Sequence, residues 1–253
     1  MNTLIALLVA IPAIFLTSLL SGVVGMAGGL ILIVVLVALM PVPSAMILHG
    51  IVQGVANGSR FWFLREYTAW RILPCYFIGV ILTTALFGVL WIVADPAVVL
   101  IVAGGLPWVS QFTPERFKLD VTRPLIACVC GIVVTAVQLV AGASGPILDA
   151  FYQRTTLNRF EIVATKAFKQ AIGHAVKIVY FAYIGASLSN EPQVLLTWWV
   201  IGLAIVLSLI GTRIGTRLLE RVSETRFRQW TNYLVLGLGA IVAVGGAIDL
   251  VSR

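Results

Sequence analysis

Long apolar stretches alternate with short polar connections along the whole chain, and this pattern predicts membrane-spanning helices. No Asp, Glu, Lys or Arg precedes Arg60, and several later stretches are equally free of charged residues. A transmembrane helix needs about 20 apolar residues. The polar connections delimit ten helical segments, at 4–24, 28–40, 46–64, 72–93, 97–109, 124–141, 145–152, 160–184, 194–212 and 231–251.

The segments 28–40 and 145–152 are too short to cross a membrane, and each follows a glycine-rich break. The first break reads GMAGG at 25–29 and the second reads GASGP at 142–146. Glycine disfavours helix through its backbone entropy, and proline lacks a backbone donor. Each break is therefore either a kink within one long span or the tip of a hairpin at which the chain turns back.

The positions of arginine and lysine favour the hairpins. With two kinks the chain crosses the membrane eight times, and the basic residues of its loops are divided almost equally between the two faces. With two hairpins, all of these basic residues except Arg253 lie on one face. Because cytoplasmic loops are enriched in Lys and Arg, the hairpins predict basic loops in the cytoplasm and both termini outside.

The composition identifies the class of protein. Of the 253 residues, 60% are hydrophobic and 11% are charged, whereas soluble domains have roughly a quarter charged residues. The chain is therefore expected to be an integral membrane protein, which excludes soluble enzymes and DNA-binding proteins. We interpret the net charge of +7 as basic loops at anionic lipid headgroups, and we expect no nucleic-acid partner, no cofactor and no metal.

The hairpins give each half of the chain an odd number of passes, so the two halves would have opposite orientations. The sequence predicts a first repeat at 1–118, with a broken hairpin at 4–40, and a second at 119–253, with a broken hairpin at 124–152. Each hairpin is followed by three further helical segments. An offset of 117 residues aligns the two breaks and matches polar residues after them: His49 with Lys166, Gln53 with Gln170, Asn57 with His174, and Arg60 with Lys177.

These polar residues predict a binding site. Each set of four has the spacing i, i+4, i+8, i+11 and so occupies one face of a helix. Nearly all the ionisable residues within the spans are basic, which favours an anionic ligand, and helix ends at the breaks add backbone donors. Hydrogen bonding between helices and snorkelling to the headgroups are the alternative interpretations. The predicted substrate-binding residues are Gly28, Gly29, Gln53, Asn57, Arg60, Ser144, Gly145, Lys166, Gln170, His174 and Lys177, and the candidates for proton coupling are His49 and His174.

Inverted repeats with interrupted helices are typical of secondary transporters. A small membrane protein with SGVVGMAGG at 21–29 and VAGASGP at 140–146 resembles the sulfite exporter TauE/SafE family, and the similarity extends along the whole chain. The resemblance implies a multi-pass prokaryotic inner-membrane permease, with an all-α bundle, that exports sulfite, an organosulfonate such as sulfoacetate, or a related small anion. The second segment departs from a fuller glycine run at Ala143, Ser144 and Pro146.

Three other functions stay open at this point. The chain could be a carrier or channel that imports another small anion, or a structural subunit. A membrane-embedded enzyme would use a histidine as a base or Cys128 or Cys130 as a nucleophile, but the sequence offers little to orient either group. We therefore expect no catalytic residues. The expected partners are a small anion, the lipid bilayer and a second copy of the chain in a homo-oligomer.

Overall fold

The computed structural model describes residues 3–24, 27–112, 119–152, 154–188, 196–219 and 224–252. Several positions used in the sequence argument lie outside these described residues. They are Gly25 and Met26 of the first break, and the basic residues Arg116, Lys118, Arg221 and Arg253.

The described residues form α-helices joined by short connections, so the all-α fold class is confirmed. The helices are α1 (Thr3–Val24), α2 (Ala27–Leu39), α3 (Val42–Leu64), α4 (Leu73–Leu90), α5 (Pro96–Phe112), α6 (Pro124–Ala141), α7 (Gly145–Ala150), α8 (Arg159–Leu188), α9 (Trp198–Leu219) and α10 (Glu224–Val251). Two single 3₁₀ turns, at Arg65–Tyr67 and Trp70–Ile72, connect α3 to α4.

Each predicted segment corresponds to one of these helices, and the largest differences lie at helix ends. Helix α3 begins at Val42 rather than at residue 46. Pro41 is its extended N-terminal cap and Pro43 lies in its first turn, where proline is tolerated because that N–H has no partner within the helix. Helix α8 continues to Leu188, four residues beyond its predicted end. The largest differences are at α9, which continues to Leu219, seven residues beyond its predicted end, and at α10, which begins at Glu224, seven residues before its predicted start.

The outer surface of the bundle is suited to lipid. Within the part of the chain that the structure describes, four helical stretches are long and apolar enough to cross a membrane, at Ile5–Gly22, Trp70–Leu90, Pro124–Ala141 and Trp198–Leu218. Large apolar side chains on α4 point outward, with Ile81 and Val89 among the most exposed. The chain is therefore a multi-pass membrane protein.

The second glycine break is a point at which the chain reverses. The N–H of Val121, just before α6, donates to the carbonyl of Phe151, just after α7, at 3.0 Å. The start of α6 and the end of α7 therefore lie side by side. At the tip, Gly142 has a φ of +73°, and its N–H donates to the backbone carbonyl of Gln138 at 3.0 Å. This hydrogen bond ends α6.

The chain also reverses its direction at the first break. Helix α2 packs back along α1, and Gly28 lies directly against the backbone of Thr17 and Ser21 of α1. The absence of a side chain at Gly28 allows this close approach. We call residues 27–29 and 142–146 the first and second tips.

Helices α3 and α8 form the centre of the bundle and pack extensively on each other. They run antiparallel, because His49 lies beside Lys177 while Gly54 lies beside His174. Around them α1 packs on α9, α4 on α6, and α5 on α10. If each of α1 to α5 is replaced by the helix five places later, and the reverse, the same four helix pairs result. The division of the chain into two repeats stays a prediction.

Candidate functional site

A small cavity lies where the two tips meet the central helices α3 and α8. Its volume is about 20 Å³, which is room for roughly one water molecule. The residues that line it are Ser21, Gly29, His49, Gln53, Asn57, Gln138, Ala143, Ser144, Gly145, Pro146, Gln170 and His174.

The cavity receives matching positions from the two halves of the chain. Eight of its lining residues form four pairs whose members are 117 residues apart, the offset at which the sequence aligns with itself. The pairs are Ser21 with Gln138, Gly29 with Pro146, Gln53 with Gln170, and Asn57 with His174.

A bridge of hydrogen bonds joins the two tips at one end of the cavity. His49 Nε2 is 2.8 Å from the carbonyl oxygen of Gly29 in the first tip. His49 Nδ1 is 2.7 Å from Lys177 Nζ, and Lys177 Nζ donates to the carbonyl of Gly142 in the second tip at 2.7 Å. His49 and Lys177 are both 0% exposed. We call these two side chains and their two carbonyl partners the tip bridge.

The partners in the tip bridge determine the tautomer of His49. A carbonyl oxygen only accepts hydrogen bonds, so Nε2 of His49 must carry the hydrogen that it gives to Gly29. Nδ1 is then left with its lone pair and accepts an N–H from Lys177. His49 is therefore neutral whenever Lys177 donates to it.

A second chain of hydrogen bonds orients His174. The hydroxyl of Ser144, in the second tip, donates to Gln138 Oε1 at 2.6 Å. The amide nitrogen of Gln138 then faces His174 Nδ1 at 2.8 Å and donates to it. Neutral His174 consequently carries its hydrogen on Nε2. Its ring lies 5.5 Å from that of His49, between centroids.

Gln53 brings an unused donor to the cavity wall. Its side chain lies beside Gly29 and is only 4% exposed, yet its amide nitrogen has no hydrogen-bond partner. A buried donor without an acceptor costs about 1–3 kcal/mol. A ligand with acceptor oxygens would recover this energy.

The opposite end of α3 and α8 carries a different set of charges. Lys166 forms an ion pair with Asp149 of α7, and their side chains are 21% and 31% exposed. Arg60 donates to the carbonyl of Ser21 at 3.5 Å. Because α3 and α8 are antiparallel, Arg60 and Lys166 lie at one end of the site and the tip bridge lies at the other.

The structure brings together most of the residues that the sequence singled out. The predicted residues that line the cavity are Gly29, His49, Gln53, Asn57, Ser144, Gly145, Gln170 and His174. Arg60, Lys166 and Lys177 lie at its ends, and Gly28 packs against α1. Sequence reasoning missed Ser21, Gln138, Ala143 and Pro146. Ser21 and Gln138 could have been found by extending the comparison at offset 117 into the helices before the tips.

The chemistry of the cavity suits a small anion. No acidic side chain is among its lining residues, and Asp149 beside it is neutralised by Lys166. The wall instead offers amide, hydroxyl and imidazole donors. Among the residues that the structure describes, no group of three His, Cys, Asp or Glu side chains could hold a metal ion.

Comparison with known proteins agrees with this description. The model of one protein family, described as sulfite exporter TauE/SafE, matches residues 10–242, which is nearly the whole chain. No curated protein and no solved structure matches it.

Proposed function

Because the chain belongs to the sulfite exporter TauE/SafE family, a family of membrane anion transporters, we propose that it is a secondary transporter for a small organosulfur anion. The substrate is sulfite or an organosulfonate such as sulfoacetate, and the direction is out of the cell. Transport proceeds by alternating access between two inverted repeats in the inner membrane.

The observation that carries this proposal is the set of unused or orientable donors around the cavity. The amide nitrogen of Gln53 has no acceptor, and the tautomer of His174 leaves Nε2–H available to a ligand. Sulfite and sulfonate groups present several acceptor oxygens to such donors. Hydrogen bonds to a charged group contribute about 1.5–3 kcal/mol each, so two or three of them give useful selectivity for an anion.

The pairing of residues across the cavity supports alternating access. The offset of 117 relates His49 to Lys166 and Arg60 to Lys177. It therefore exchanges the end that carries His49 and Lys177 with the end that carries Arg60 and Lys166. At the first end His49 and Lys177 are fully buried in the tip bridge, while Lys166 and Asp149 at the second end are part-exposed.

The sidedness of this conformation follows from the basic loops. Arg60 lies one turn before the end of α3, and Arg65 and Arg71 follow directly. With the basic loops in the cytoplasm and both termini outside, the Arg60 end faces the cytoplasm. We therefore assign this conformation as closed to the outside.

The walls of the cavity must separate to admit the substrate. The present cavity has room for roughly one water molecule, and a sulfur oxyanion is larger than that. The Arg60 end is the place for this, because an entering anion competes with Asp149 for Lys166. The anion then lies between residues supplied by both repeats.

The test is transport by purified protein in liposomes. Vesicles loaded with labelled sulfite or sulfoacetate are diluted, and efflux is compared with that of sulfate, acetate and the zwitterion taurine. We expect saturable efflux of a sulfur anion. Lys166→Ala and His174→Ala should reduce it, while Ser59→Ala, whose hydroxyl bonds within its own helix, should not.

Saturation separates a carrier from a channel, whose flux rises without a plateau. Absence of flux for every sulfur anion would overturn the proposal. Unchanged flux in both Lys166→Ala and His174→Ala would overturn the assignment of the site.

A further inference from the structure

We propose that the tip bridge is a proton-binding site, and that one proton bound at Lys177 Nζ, and shared with His49 Nδ1, crosses the membrane together with the anion. This inference deepens the proposed function and rests on it. It gives the transporter its coupling ion.

The hydrogen bonds of the bridge allow a proton to be added or removed without breaking them. Lys177 gives one N–H to His49 Nδ1 and one to the carbonyl of Gly142. A neutral amine has two N–H groups, so both bonds persist when Lys177 is uncharged. Its lone pair then takes up one proton, and the bridge gains one positive charge.

Among the residues that the structure describes, no acidic side chain forms a hydrogen bond or an ion pair with His49 or Lys177. Helices α1 and α2 carry no charged side chain, and the tips contribute the carbonyls of Gly29 and Gly142. His174 is the titratable group that faces His49 across the cavity. The other titratable or charged residues on the elements packed against α3 and α8 are Arg65, Glu66 and Tyr67 of the first 3₁₀ turn, Cys75 and Tyr76 of α4, Cys128 and Cys130 of α6, and Arg213 and Arg217 of α9.

None of these groups reaches the bridge as a counter-charge. Glu66 follows the far end of α3, on the opposite side of the site from His49. Tyr76 and Cys130 belong to a separate buried cluster, and Arg213 and Arg217 lie in the last two turns of α9. Glu161 and Asp149 are at the Arg60 end, where Asp149 pairs with Lys166.

The anion itself therefore supplies the missing negative charge. His49 is both a member of the bridge and part of the cavity wall, so an anion in the cavity lies next to the protonated pair. A buried charge without a partner costs several kcal/mol, and this cost falls when both ligands are present. By linkage, each ligand then raises the affinity for the other by the same factor.

The position of the bridge also links proton binding to the conformational change of the transporter. Its two carbonyl partners belong to the two different tips, so the proton lies where the repeats meet. Without the anion, the charged bridge is an isolated cation between the tips. With both ligands bound, the site carries less net charge and can pass between its two orientations.

The coupling is tested with wild-type protein in liposomes, using labelled sulfoacetate because its charge is fixed around neutral pH. Valinomycin and equal potassium hold the membrane potential at zero while a pH gradient is imposed. If one proton moves with each anion, a tenfold proton gradient should sustain an opposing anion gradient of about tenfold. A pH-sensitive dye in the lumen should report proton movement together with the anion.

Two buried lysines of the same helix provide matched variants. Lys177→Met should abolish accumulation driven by the pH gradient. Lys169→Met also removes a buried lysine of α8, but this residue has no contact with the bridge, and it should leave the accumulation ratio unchanged. If Lys177→Met does not fold, the wild-type ratio still decides whether a proton moves with the anion, and His49→Gln, which alters the other side chain of the bridge, tests where it binds.

The outcomes separate the two proposals. Sulfoacetate transport with no sustained gradient and no proton movement would overturn the coupling and leave the transporter standing. If the wild type couples anion to proton but Lys177→Met and Lys169→Met lose accumulation to the same extent, the tip bridge is not the proton-binding site. No transport of sulfoacetate or sulfite would overturn the proposed function and the coupling together.

Discussion

Lys177 Nζ lies 2.7 Å from His49 Nδ1, although the two residues are 128 positions apart in the chain. The same nitrogen is 2.7 Å from the carbonyl oxygen of Gly142. One buried side chain of α8 therefore joins α3 to the second tip, and through His49 it reaches the first tip as well. The site depends on this junction, because the cavity is formed by the two tips that it holds together.

Gly142 should be among the least tolerant positions in the fold. Its φ of +73° is costly for any residue with a side chain, and an added Cβ would lie 2.8 Å from Ile33 and Met46. Gly142→Ala should lower the free energy of unfolding by about 2–4 kcal/mol. The measurement is chemical unfolding in mixed detergent micelles.

Gly58→Ala is the matched control, since a Cβ there meets nothing within 4 Å and alanine favours helix. It should unfold at the wild-type denaturant concentration or later. If Gly142→Ala and Gly58→Ala had equal free energies of unfolding, the backbone of the second tip would not require glycine at position 142.

Ser144 should act on the anion through its neighbours. Ser144→Ala leaves Gln138 Oε1 without its donor, so the amide of Gln138 is no longer held toward His174. We expect the apparent affinity for the transported anion to weaken up to about tenfold, corresponding to one lost hydrogen bond. Concentration dependence of efflux measures it, and a wild-type value in Ser144→Ala would show that the hydroxyl has no part in the site.

The orientation of the loops is open to direct labelling. Single cysteines are introduced at Arg71, Arg123 and Arg159 in a background without Cys75, Cys128 and Cys130, and each is treated with a membrane-impermeant reagent. Because α6 and α7 form a hairpin, all three positions should react from the cytoplasmic side. Labelling of positions 123 and 159 from opposite sides would restore the eight-crossing topology.

Lys169 should be dispensable for transport. Its Nζ has no hydrogen bond and lies over the rings of Tyr76 and Tyr152, at 4.4 and 5.2 Å from their centroids. Cation–π contacts contribute about 2 kcal/mol when desolvated, whereas burying the ammonium costs several. Lys169→Met should therefore keep the wild-type melting temperature or raise it, with normal efflux. A transport defect in a folded Lys169→Met protein would place this lysine in the pathway.

Much of the fold could be predicted from the sequence, because a membrane restricts the chain to apolar helices of a defined length. Apolar length defines the spans, and glycine breaks define the two tips. The polar face of α3 was visible as Gln53 and Asn57, because such residues are rare in the middle of an apolar bundle. These features depend on local sequence alone.

The contacts between the halves could not be predicted in the same way. An offset matches equivalent residues, so it aligned Arg60 with Lys177, whereas the structure pairs Lys177 with His49. The contact of Lys166 with Asp149 depends on the short α7 turning back. Ser21 and Gln138 lie before the two breaks, whereas the sequence comparison matched polar residues only after them.

The most direct test of the account is whether the cavity between the tips binds an anion. Thermal unfolding of purified wild-type protein is followed with increasing sulfite or sulfoacetate, beside the isosteric variant Gln53→Glu. Saturable stabilisation of the wild type, absent from Gln53→Glu because the new carboxylate repels the ligand, is the predicted result. Equal stabilisation of both proteins would contradict the site, and no stabilisation of the wild type by either anion would contradict the proposed substrate class.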